Sequence, residues 1–115
     1  MKRFLITLLV ALFWTLPALA ITADEADKME QAVATLCPLI EQEAYLIAEI
    51  RAEKSNPSGV VDLRRLHELG DALAATRLQM REARTDNREG LKLFQQWAGK
   101  PLDLGFCQSW NRAHD

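Results

Sequence analysis

The chain has 115 residues, of which 49% are hydrophobic and 26% are charged, and its formal net charge is -2. A chain of this length forms one small domain and is too short for two domains with separate cores. The slight acidic excess argues against nucleic acid, and against an anionic membrane surface, as a broad electrostatic partner.

The N-terminus has the pattern of a signal peptide. The basic pair Lys2-Arg3 precedes an apolar run over residues 4–19, which ends in the small-x-small sequence Ala18-Leu19-Ala20. The run is about 16 residues long, shorter than the ~20 that a membrane-spanning helix needs. We therefore predict a signal peptide at residues 1–20, a single helical domain at residues 21–115, and a periplasmic or secreted protein. The alternative is an uncleaved segment that anchors the chain to a membrane.

The chain contains two cysteines, Cys37 and Cys107. An even pair in a small exported chain usually oxidises, because the compartment has no reducing thiol pool. We predict a disulfide that ties the first helix to the C-terminal tail. The pair has no C-x-x-C spacing and belongs to no set of four Cys and His residues suited to zinc, so we predict no metal and no other cofactor.

The first predicted helix covers residues 21–54. It opens with Thr22-x-x-Glu25, the reciprocal pattern of an N-terminal capping box. Its apolar residues recur every three or four positions, as expected for one face of a helix. Pro38 lacks a backbone donor and crowds the preceding turn, so the segment is either one long kinked helix or two helices. Turn-forming residues at 55–59 then end it.

Two further helices follow the turn. Asp62 is the predicted N-cap of the second helix, which we expect to end near Arg84. Thr85 or Asp86 is then expected to cap a third helix, and Gly99 followed by Lys-Pro stops it.

The aromatic residues Phe94, Trp97, Phe106 and Trp110 lie in the third helix and the tail. We expect the tryptophans and Phe106 to anchor the core, with an aromatic cleft as the alternative. The tail is too apolar to stay in water, so it should pack across the helices. No strand-like alternation occurs after residue 20. The predicted fold is all-α, an antiparallel bundle of three helices plus a C-terminal turn or short helix, stapled by one disulfide.

Basic residues gather at the turn between the first two helices. Arg51 and Lys54 end the first helix, while Arg64 and Arg65 follow Asp62 at the start of the second. Antiparallel packing would bring these cations together in a polar pocket that binds a small anionic ligand such as a dicarboxylate. The alternative is that they are solvated charges flanking a loop. No G-x-S-x-G elbow or other nucleophile signature supports a hydrolase.

The same stretch carries a family resemblance. Lys54 is followed, after the loop, by Asp62-x-x-Arg65 at the start of the second helix. Over residues 43–97 this order resembles the secreted branch of the all-helical chorismate mutases.

The resemblance implies an isomerase that converts chorismate to prephenate by holding one conformer and stabilising charge on the ether oxygen. It implies that Lys54 faces that oxygen, that Arg65 binds a carboxylate and that Asp62 orients the loop. Arg51 and Arg64 are then the further substrate-binding residues.

Two positions differ from that family. Glu43 stands where the family has an arginine, and the chain stops being helical at Gly99, where the family supplies Gln or Glu with Ser or Thr. We expect such an enzyme to be slow or inactive unless Arg51 or Arg64 substitutes. The alternative function is a non-catalytic periplasmic protein of the immunity or inhibitor type that binds a protein partner through its bundle surface.

Overall fold

The computed structural model describes residues 21–114, and every secondary-structure element in that range is a helix. The predicted signal peptide at residues 1–20 lies outside the described residues. The four helices are α1 (Ala23–Lys54), α2 (Leu63–Asp86), α3 (Arg88–Ala98) and α4 (Leu104–His114). The all-α prediction is confirmed, and the C-terminal segment is a helix rather than a turn.

The start of α1 has the predicted capping box. The Thr22 hydroxyl accepts a hydrogen bond from the Glu25 backbone N–H at 3.1 Å, and the Glu25 carboxylate accepts one from the Thr22 N–H at 3.3 Å. These bonds satisfy donors that the first helical turn otherwise leaves unpaired. Pro38 lies inside α1, which continues through it as one helix, so the two-helix alternative is wrong.

A short loop reverses the chain between α1 and α2. Gly59 adopts a φ of +72°, a conformation that favours glycine. Asp62 is the N-cap of α2, as predicted, and its carboxylate accepts a hydrogen bond from the Arg65 backbone N–H at 3.0 Å. Two ion pairs, Arg65 with Glu49 and Arg77 with Glu43, show that α2 runs back along α1.

The junction of α2 and α3 differs from the prediction. Thr85 and Asp86 cap nothing, because both lie inside α2, where the Thr85 hydroxyl donates to the carbonyl of Arg81 at 3.1 Å. Helical bonding continues to Asn87, whose backbone N–H donates to the Ala83 carbonyl. Asn87 alone separates the two helices and provides no side-chain cap for α3.

The core lies where α3 and α4 pack against α1. Its fully buried cluster consists of Val33, Cys37, Phe94 and Cys107. Cys37 and Cys107 form the predicted disulfide, with their Cα atoms 5.2 Å apart. The bond therefore fixes α4 to the middle of α1 within the most buried part of the molecule.

The contact between α3 and α1 depends on a glycine. A Cβ atom added at Gly90 would lie 2.9 Å from the Ala32 Cβ and even closer to the backbone carbonyl of Lys28. Only a residue without a side chain allows this approach. Beside it, the Lys28 ammonium bonds Glu89 at 3.1 Å, and this hydrogen bond raises the pKa of Lys28.

One predicted core residue is not in the core. Trp97 is 54% exposed, whereas Phe94, one turn earlier in α3, is 1% exposed. The reason is that α1 and α4 cover the side of α3 that carries Phe94 and leave Trp97 at its margin. Phe106 and Trp110 are half-buried against the core cluster.

Candidate functional site

The predicted site at the turn between α1 and α2 contains one well-connected cation, Arg65. Its guanidinium lies 2.9 Å from the Glu49 carboxylate and 3.7 Å from that of Glu53. Glu53 also accepts a hydrogen bond from the Asp62 backbone N–H at 2.9 Å. Arg65 and Asp62 therefore help to hold the start of α2 against the end of α1. The carboxylates of Glu49 and Glu53 already compensate the charge of Arg65.

The other predicted site residues point to solvent. The Arg64 side chain is 90% exposed and lies 3.5 Å from Glu68, one turn further along α2. Arg51 and Lys54 are exposed and make no ion pair within residues 21–113. Among the described residues, these cations do not line either of the two grooves that follow.

The first groove is basic and has a volume of about 430 Å³. We call it the arginine groove, and it lies between α1 and the end of α2. Its lining consists of Glu43, Arg77, Met80, Arg81, Arg84, Thr85 and Arg88. Four guanidinium groups thus face one carboxylate around an open depression, on a chain whose overall charge is negative.

Helical spacing produces the arginine groove. Residues three, four and seven apart share one face of a helix, and Arg77, Arg81 and Arg84 have these separations in α2. Arg88 continues the row as the first residue of α3. Met80 is 4% exposed and lies beneath the row, so the cations stand over an apolar floor.

The second groove is apolar and has a volume of about 300 Å³. We call it the aromatic groove, and it lies between the start of α1, α3 and α4. Its lining consists of Ile21, Ala26, Met29, Glu30, Val33, Phe94, Trp97, Phe106 and Trp110. Among the described residues that line it, Glu30 has the one ionisable side chain.

Ring contacts organise the aromatic groove around Phe106. This ring meets Phe94 edge to face at a centroid distance of 4.7 Å and Trp97 at 6.4 Å. The Phe106 ring also stacks with Trp110 at a centroid distance of 6.3 Å. Aromatic pairs in these arrangements stabilise one another beyond the effect of surface burial. The four rings of the groove wall therefore form one connected set of contacts.

The sequence analysis did not predict the arginine groove, and it gave an aromatic cleft only as the alternative to aromatic residues packed in the core. The spacing of Arg77, Arg81 and Arg84 is visible in the sequence, but only the pairing of α2 with α1 shows that this row faces a depression. Choosing the aromatic cleft over a buried aromatic core would have required knowing that Trp97 is exposed, and no local sequence pattern predicts that exposure.

Within the described residues, no helix has the length and apolar composition needed to cross a bilayer. In the same range, no group of three or more His, Cys, Asp or Glu side chains is arranged to hold a metal ion. Comparison with known proteins finds no family model, no curated protein and no solved structure that matches this chain. The resemblance to chorismate mutases therefore stays a prediction.

Proposed function

We propose that this chain is a non-catalytic binding protein of the cell envelope that holds a partner protein in its aromatic groove. One observation carries this proposal: four aromatic rings surround an apolar depression that is open to solvent, and one of them, Trp97, is 54% exposed. Tryptophan and phenylalanine concentrate at the centres of protein interfaces, where they contribute a large share of the binding energy.

The groove is suited to binding because its walls are held in place before a partner arrives. Phe94 is 1% exposed and belongs to both the core and the groove, so it cannot move without disturbing the core. The disulfide between Cys37 and Cys107 joins α1 to α4, the two helices on either side of it. A preformed site binds more tightly because less conformational entropy is lost on association.

The lining indicates the chemistry of the partner. An apolar side chain of the partner would fill the depression beside Trp97, and a nearby cation would face Glu30 on the rim. We take the helices as an antiparallel three-helix bundle with α4 packed across one end, so that the groove forms part of the bundle surface. An inhibitor or immunity-type protein of the periplasm would use such a surface.

Site-specific photo-crosslinking in living cells tests this function. A photoreactive amino acid replaces Gln96, an exposed neighbour of Trp97 that does not line the groove. We expect an adduct of one defined mass, and we expect Trp97→Ala to abolish it. Leu78→Ala is the matched control, because Leu78 is 52% exposed and lies outside the groove. An adduct that survives Trp97→Ala, or no adduct at all, would overturn the proposal.

Chorismate rearrangement is the second candidate function. The start of α2 supports it, because Asp62 and Arg65 open this helix, as the Asp-x-x-Arg of the resembling family opens its second helix. Arg65 is already paired with Glu49, however, so a substrate carboxylate would have to displace that partner. The absorbance of chorismate in the presence of the oxidised mature protein tests this function. If the protein consumes chorismate and Lys54→Ala abolishes this turnover, the protein is an isomerase and the binding proposal is wrong.

A further inference from the structure

We propose that the arginine groove binds a small oxyanion with at least two negative groups, such as a phosphate ester or a polycarboxylate. This inference is independent of the proposed function, because the arginine groove and the aromatic groove have no described lining residue in common. It rests on the number of uncompensated cations, on their spacing and on the size of the depression.

Most of the positive charge in the groove is uncompensated. Arg77 pairs with Glu43 at 3.1 Å. Arg81, Arg84 and Arg88 make no ion pair with any side chain in residues 21–113. Like charges three or four positions apart on a helix repel one another. A bound anion would relieve this repulsion and would therefore stabilise the folded chain.

The spacing of the row defines the ligand. Each residue of a helix advances about 1.5 Å along the axis, so Arg77 and Arg81 are about 6 Å apart in height, and Arg81 and Arg84 about 4.5 Å. A single negative group would leave part of this row without a partner, whereas a ligand with two or three linked negative groups would contact more of it.

The shape and chemistry of the groove restrict the ligand further. A volume of about 430 Å³ accommodates a small molecule rather than a folded domain. The planar guanidinium group donates two parallel hydrogen bonds to a carboxylate or a phosphate, and it stays charged at all physiological pH values. The buried Met80 forms the apolar floor of the groove below the row.

Glu43 acts as an internal competitor for the ligand. Its carboxylate occupies Arg77 at one end of the row, and 28% of its side chain is exposed. Glu43→Gln removes this charge and keeps nearly the same shape. We therefore expect Glu43→Gln to bind anions more tightly by about two- to fivefold, the range expected for a surface ion pair.

Isothermal titration calorimetry on the oxidised mature chain tests the inference, with pyrophosphate, citrate and inorganic phosphate as probes. We expect pyrophosphate or citrate to bind more tightly than inorganic phosphate. Each exposed guanidinium contact is equivalent to about two- to fivefold in affinity. The double variant Arg81→Gln/Arg84→Gln should therefore weaken binding by about tenfold.

Arg112→Gln is the matched control, because Arg112 is an exposed arginine of α4 that lies outside the groove and belongs to neither predicted site. It should leave the affinity within about twofold of the unsubstituted chain. A preference for pyrophosphate would identify a phosphate ester, and a preference for citrate a polycarboxylate. The inference would be overturned if neither pyrophosphate nor citrate binds. It would also be overturned if the control and the double variant lose the same affinity, or if Glu43→Gln binds the anion no more tightly than the unsubstituted chain. Circular dichroism of each variant shows whether its helices are intact.

Discussion

Replacing Gly90 by alanine tests the packing of α3 on α1 directly. In an ordinary helix this change stabilises by about 1 kcal/mol, because glycine loses more backbone entropy on folding than alanine does. At Gly90 the new methyl carbon would lie 2.9 Å from the Ala32 Cβ and closer still to the Lys28 carbonyl oxygen. Ordinary contacts between such atoms begin near 3.5 Å.

The magnitude follows from what must move. The nearest obstacle is backbone of α1, which cannot rotate away as a side chain can, so α3 must shift outward by roughly 1 Å. That shift separates Phe94 from Val33 and from the disulfide in the core cluster. Overpacking of this kind costs about 1–3 kcal/mol and outweighs the gain in helix propensity. The nearest contact is with backbone, so the cost should lie in the upper part of that range. After the gain of about 1 kcal/mol is subtracted, we expect Gly90→Ala to lower the free energy of unfolding by about 1–2 kcal/mol.

Gly70→Ala is the matched control. Gly70 is also in the interior of a helix, and a Cβ atom there would meet no atom within 4 Å. We expect this variant to be more stable by up to about 1 kcal/mol. Urea denaturation with the disulfide intact, followed by circular dichroism, should show the two midpoints moving in opposite directions. If Gly90→Ala is as stable as Gly70→Ala, the close approach of α3 to α1 is wrong.

Three further predictions concern single bonds. Removing the disulfide by Cys37→Ala/Cys107→Ala opens a loop with a sequence separation of 70 and should lower the free energy of unfolding by about 4 kcal/mol in urea; a loss below about 1 kcal/mol would contradict the loop-closure reasoning. Asp62→Ala removes the N-cap of α2 and should cost about 1 kcal/mol by the same measurement, whereas Asp62→Asn should cost little. The backbone N–H of Phe106 donates to the Asp103 carboxylate at 2.8 Å and holds the pKa of Asp103 below its ordinary value of 3.8. Because the folded pKa is lowered, this contribution to stability is complete above the unfolded pKa and is lost as the pH falls through the folded one; an NMR titration that places the pKa of Asp103 at or above 3.8 would refute it.

The helix starts and stops were predictable where they depend on nearby residues. Thr22 and Asp62 were expected as N-caps and both cap a helix. Gly99, which adopts a φ of +74°, ends α3 as expected. Each of these contacts involves residues within a few positions of one another, so the sequence contains all of its participants.

The junction between α2 and α3 was not predictable in the same way. Thr85 and Asp86 have the side chains of good N-caps, but a helix that still has bonding partners continues through such residues. Only the position at which α3 turns toward α1 decides where α2 ends. That turn brings Gly90 close to Lys28 and Ala32, a contact made across distant parts of the chain.

By itself, the sequence determined the all-helical character of the described region, the caps of α1 and α2 and the pairing of Cys37 with Cys107. These depend on local hydrogen bonding, on hydrophobic spacing and on there being two cysteines. The tertiary structure alone decided that Phe94 is buried while Trp97 is exposed, and that the arginines of α2 face a groove. The physical reason is that helical spacing places residues on a common face, whereas the burial of that face depends on which other helices cover it.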